Sequence, residues 1–67
     1  MITNTQAVAL AVRYNAYIEA RNARDLESVI YWGKKLDGIQ TITGVVLIDY
    51  ITLECDIERA SKNLGFT

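Results

Sequence analysis

The sequence predicts an all-α fold: three helices, a long C-terminal helix and a tendency to self-associate. Three observations predict it. The 67 residues contain no proline, the four glycines are scattered, and apolar residues recur at steps of three and four along three successive segments. Such steps place apolar side chains on one face of a helix. The predicted helices span residues 4–22, 25–36 and 40–64 of a single domain that covers residues 1–67.

Capping signals set the predicted limits of the first two helices. Thr3 and Gln6 have the spacing of a capping box, in which each side chain satisfies a backbone donor at the start of the helix. Asn22 tolerates the left-handed conformation common at helix ends, and Asp25 is a favoured N-cap for the second helix. Gly38 suits the position just after that helix.

The third predicted helix has apolar residues on two sides. Its core stripe is Ile39, Ile42, Val46, Tyr50, Leu53, Ile57, Ala60 and Leu64. The opposite side carries a second series, Gly44, Ile48, Ile51 and Cys55, at steps of four, three and four. Residues 39–51 are also rich in β-branched residues, so a hairpin turning at Gly44 is the alternative. The unbroken stripe favours the helix.

The second series predicts an interaction surface. The first two helices have one main apolar stripe each, and both stripes are needed to cover the core side of the third helix. A chain this short also has a small margin of stability, which oligomerisation often supplements. We therefore expect Gly44, Ile48, Ile51 and Cys55 to contact a second copy, giving a homodimer or higher oligomer. A different protein is the alternative partner.

Asp49 is a candidate for a buried ion pair. It lies between Ile48 and Tyr50 in an otherwise apolar turn of the predicted third helix, where an unpaired carboxylate would be costly. Arg21 is the expected partner, with Arg13 and Arg24 as alternatives.

Composition argues against several function classes. The net charge is −1, which disfavours a general nucleic-acid binder, although residues 1–35 carry +2 and residues 36–67 carry −3. A nucleic-acid-associated regulator that uses the basic N-terminal half is therefore the runner-up function. The chain has no histidine, and its one cysteine, Cys55, has acidic neighbours that disfavour a reactive thiolate. We expect no catalytic residues, cofactor or metal site, and a metal or small-molecule binder is a further competitor.

The sequence also predicts where the protein acts. The longest apolar run, residues 45–48, is far shorter than a membrane span and is followed by Asp49. The N-terminus lacks the basic and apolar regions of a signal peptide. We expect a cytoplasmic protein with a reduced thiol and no membrane contact.

In whole-chain character the sequence resembles the small all-helical accessory proteins encoded in the early regions of temperate, lambda-like phages. The features are short length, three predicted helices, no cofactor motif, a Thr3-Asn4-Thr5-Gln6 start and a Leu64-Gly65-Phe66 stop. The resemblance implies an accessory regulator that binds a host or phage protein. It assigns no functional residue.

Overall fold

A computed structural model describes residues 2–65 of the chain. It contains three α-helices, α1 (Asn4–Asn22), α2 (Leu26–Thr43) and α3 (Tyr50–Asn63), and no strand lies among the described residues. The predicted all-α, three-helix fold class is confirmed. The predicted long C-terminal helix is wrong, because α3 has 14 residues and is the shortest of the three.

α2 is the central helix, and α1 and α3 each pack against it. We expected the third helix to be covered by the other two. That expectation is wrong, because α2 holds the central position. The molecule measures 39 × 20 × 14 Å along its principal axes. The buried hydrophobic residues come from all three helices: Leu10, Tyr17, Ala20, Val29, Leu36, Leu53 and Ala60.

The start of α1 and the start of α2 are as predicted. The backbone N–H of Gln6 donates to the Thr3 hydroxyl at 3.1 Å, and the Thr3 N–H donates to the Gln6 side chain at 3.0 Å. Asp25 caps α2 by accepting from the Ser28 N–H at 3.3 Å. The left-handed residue after α1 is Arg24, with φ of 56°, and not Asn22, which remains helical.

α2 ends seven residues later than predicted, at Thr43. Gly38 lies inside the helix, and Gly44 supplies the left-handed cap with φ of 74°, its N–H donating to the Gln40 carbonyl at 2.8 Å. A glycine inside a helix costs about 1 kcal/mol relative to alanine. Continuation through Gly38 buries Gln40 and packs Ile39 against the core, which offsets that cost.

The predicted helix over residues 40–64 is therefore two elements joined by a loop at residues 44–49. Asp49 caps α3, with its carboxylate accepting from the Thr52 N–H at 2.9 Å and from the Thr52 hydroxyl at 2.8 Å. α3 ends at Asn63, and Phe66, predicted to close its last turn, lies outside the described residues.

A glycine allows α2 and α3 to approach closely. A Cβ atom at Gly33 would lie 2.9 Å from Cγ1 of Ile57 and 3.4 Å from the ring of Tyr17. Gly33 therefore leaves the space that Ile57 occupies between the two helices. The two helices thereby bring Leu53 and Ala60 of α3 into the core.

Candidate functional site

The corner between α2 and α3 exposes five large apolar side chains. Ile42 and Ile51 are each 73% exposed, Val46 is 65%, Tyr50 is 59% and Leu47 is 45% exposed. These five residues lie within ten positions of the chain, and we call them the apolar corner. Single exposed apolar residues are ordinary on a protein surface, whereas a concentration of them marks a contact surface.

The same stretch is depleted of charge. Residues 38–53 contain a single charged side chain, Asp49, although 22% of the whole chain is charged. The charge of Asp49 is directed at the start of α3, where the backbone N–H of Thr52 and its hydroxyl lower the pKa of the carboxyl. The cores of protein interfaces are typically depleted of charged residues and rich in apolar and aromatic residues.

A buried glutamine fixes the shape of the apolar corner. The side-chain oxygen of Gln40 accepts from the N–H groups of Leu47 at 2.7 Å and Ile48 at 3.0 Å. Its amide nitrogen donates to the Ile48 carbonyl at 3.1 Å, and the residue is 5% exposed. The Gln40 side chain thus replaces the backbone hydrogen-bond partners that this loop lacks. Its bond to the Leu47 N–H holds that residue in its exposed position.

The predicted interaction residues do not form a helical seam. Gly44 and Ile48 lie in the loop, Ile51 and Cys55 lie on α3, and Ile48 is half-buried against the core. Ile51 and Cys55 are exposed, as an interaction surface requires. The helix break also turns Ile42, Val46 and Tyr50 outward, although all three were predicted to belong to the core stripe.

The predicted ion pair between Asp49 and Arg21 is wrong. Arg21 pairs with Asp56, its Nη1 lying 3.3 Å from Oδ2, while Asp49 is exposed and serves as a helix cap. Asp56 is the carboxylate that sequence reasoning missed. Its position offered a signal, because it lies three residues after Leu53 and four before Ala60, on the face of α3 that is buried.

Asp56 of α3 is bonded to both Tyr17 and Arg21 of α1, and the three side chains form a polar network. Its Oδ2 also accepts from the hydroxyl of Tyr17 at 2.5 Å. Tyr17 is fully buried, and the side chain of Asp56 is 9% exposed while that of Arg21 is 46% exposed. The network links the basic first half of the chain to the acidic second half through a hydrogen bond and an ion pair between α1 and α3.

The network predicts a loss of stability at alkaline pH. Burial, followed by the hydrogen bond to Asp56, raises the pKa of Tyr17 well above its usual value of 10.0. The unfolded chain then releases this proton first, so the stabilisation is complete below pH 10 and declines as the pH rises beyond it. The slope should approach about 1.4 kcal/mol per pH unit. The free energy of unfolding, measured by denaturation from pH 8 to 12, should fall with this slope in the parent and less steeply in Tyr17→Phe. The same pH dependence in both proteins would contradict this prediction.

Metal-ligand groups and membrane-spanning helices are both absent from the part of the chain that the structure describes. Among residues 2–65, no three His, Cys, Asp or Glu side chains are grouped to hold a metal ion. None of the three helices is long and apolar enough to cross a membrane. Comparison with known proteins finds no protein family, no curated protein and no solved structure that matches the chain.

Proposed function

We propose that this chain is a non-enzymatic protein–protein interaction module that self-associates as a homodimer through the apolar corner. The observation that carries the proposal is the exposure of Ile42, Val46, Leu47, Tyr50 and Ile51 around one turn. A regulatory role as an accessory protein, of the kind implied by the phage resemblance, would rest on this contact.

A second copy is the occupant that the surface fits best. A standard interface buries about 800 Å² on each partner, roughly a sixth of the 4703 Å² that this chain exposes. An apolar corner at a two-fold axis meets its own copy, so one patch serves both subunits. Burying each apolar side chain contributes up to about 1.5–3 kcal/mol, which is a large gain for a domain with a small core.

A double substitution tests the proposal. Ile42→Glu combined with Ile51→Glu places charges on both sides of the corner without touching the core, since each residue is 73% exposed. We expect the parent to sediment as a dimer and the variant as a monomer that keeps its helical circular dichroism. Ile48→Glu is unsuitable, because Ile48 packs against the core and its replacement would weaken folding as well.

The matched control is Val12→Glu. Val12 is 53% exposed on the outer side of α1, where Val8, Asn15 and Glu19 are also exposed. This variant introduces the same charge at an apolar surface position away from the corner, and it should remain dimeric. At about 100 µM protein, a contact worth only about 5–6 kcal/mol would already be visible. A monomeric parent at this concentration would therefore contradict self-association.

A further inference from the structure

A groove lies at the end of α2 opposite the apolar corner. It has a volume of about 480 Å³ and is bounded by the end of α1, the start of α2 and the last half of α3. Its walls carry Arg21, Arg24 and Arg59, and Leu26 is its half-buried apolar side chain, whereas Val29 and Ala60 lie beneath it at 4% and 2% exposure. We call it the arginine groove.

Two of the three guanidinium groups have no counter-ion among residues 2–65. Arg21 is engaged by Asp56 at 3.3 Å, which neutralises that pair. Arg24 and Arg59 make no side-chain hydrogen bond or ion pair with any of residues 2–65. The groove thus presents two positive charges that no side chain in the described part of the chain neutralises, although the net charge of the protein is −1.

The position of Arg24 is unfavourable for an arginine. Its φ is 56°, and it occupies the site after α1 where the Asp25 N–H donates to the Ala20 carbonyl at 2.9 Å and its own N–H donates to Arg21 at 3.2 Å. Glycine is the usual residue at this position of a helix end, because side chains are disfavoured in the left-handed region. A side chain kept there at a cost in stability is consistent with a role for its guanidinium.

We propose that the arginine groove binds an acidic peptide segment, with a carboxylate held by Arg24 and Arg59 and an adjacent aliphatic side chain packed on Leu26. Guanidinium groups match the planar geometry of carboxylates and bind them through paired hydrogen bonds. Leu26 beside these arginines offers a contact to an aliphatic neighbour, which inorganic phosphate and a nucleic-acid backbone both lack.

Fluorescence anisotropy with a labelled, C-terminally amidated peptide of leucine and glutamate tests this site. The same peptide with glutamine in place of glutamate is the matched probe. We expect the glutamate peptide to bind at least about tenfold more tightly, as the loss of one charge-assisted hydrogen bond would require. Amide shifts on titration should concentrate around Arg24, Arg59 and Ala60.

Substitutions separate binding from folding. Arg24→Gly should weaken peptide binding about tenfold while leaving the melting temperature equal or higher, because glycine suits a φ of 56°. Arg59→Gln should weaken binding similarly, whereas Lys34→Gln, an exposed cation outside the groove, should have no effect. The Ile42→Glu, Ile51→Glu variant should still bind, so this site is tested independently of the dimer.

Equal binding of the two peptides, or unchanged binding by Arg24→Gly, would overturn the proposal. Tighter binding of inorganic phosphate or of a short DNA duplex than of the glutamate peptide would also overturn it. The DNA result would instead favour the nucleic-acid-associated regulator, and its affinity would fall steeply with salt.

Discussion

Asp56→Ala should strongly destabilise the protein, with an expected loss of about 3 kcal/mol in the free energy of unfolding. The substitution leaves the fully buried hydroxyl of Tyr17 without its acceptor and leaves Arg21 unpaired. An unsatisfied buried group costs about 1–3 kcal/mol, and breaking a buried ion pair costs about 3–5 kcal/mol. The half-exposed Arg21 places the expected value at the lower end of the second range. A domain of this size has a total stability of roughly 3–10 kcal/mol.

Urea denaturation followed by circular dichroism measures the change. Glu58→Ala is the matched control, because it removes a carboxylate from the same helix whose partner, Lys62, lies 3.3 Å away on the surface. Both side chains of that pair are about 70% exposed, at 68% and 72%, so the change should be within about 0.5 kcal/mol. Similar losses in the two variants would show that Asp56 is not the central polar contact.

Gln40→Leu should cost about 2–3 kcal/mol and should also disorder the apolar corner. Leucine preserves much of the apolar volume but removes all three hydrogen bonds to the loop. The N–H groups of Leu47 and Ile48 then lose their acceptor, and each is only partly accessible to water. Hydrogen exchange at these two amides should accelerate well beyond the change seen in α1.

Thr41→Ala provides the comparison for Gln40→Leu. Thr41 is the next residue along α2 and is exposed, and its hydroxyl donates to the Asp37 carbonyl at 3.0 Å within the same helix. Its removal should change stability by less than about 0.5 kcal/mol and leave the exchange of the loop amides unaltered. Rapid exchange at Leu47 and Ile48 in the parent itself would contradict the role assigned to Gln40.

Local signals predicted the fold class and the starts of two helices. The capping box of Thr3 and Gln6 and the cap at Asp25 depend on residues three apart, so they can be read directly from the sequence. The end of α2 could not be read in this way. Gly38 and Gly44 were both available as caps, and the choice rests on Gln40, whose side chain bonds to residues seven and eight positions away.

The candidate site was predicted only in part, because the loop between α2 and α3 was predicted as helix. Ile51 and Cys55 are exposed as expected, but a stripe that ran unbroken through residues 39–64 placed Ile42, Val46 and Tyr50 in the core. The loop interrupts the helical phase, which turns these residues to the surface. Asp49 likewise carried a cap signal, an aspartate three residues before Thr52, that is informative only once the helix is known to begin there.

Isotope-filtered nuclear Overhauser measurements on a mixture of labelled and unlabelled chains test self-association through the apolar corner most directly. At the concentration of about 1 mM that such measurements use, a dimer that is already visible at about 100 µM is mostly populated. We predict intermolecular contacts between the methyl groups of Ile42, Val46 and Ile51 and the same residues or Tyr50 in the second copy. Absence of any intermolecular contact, or contacts confined to Val8 and Val12 of α1, would contradict the proposed interface.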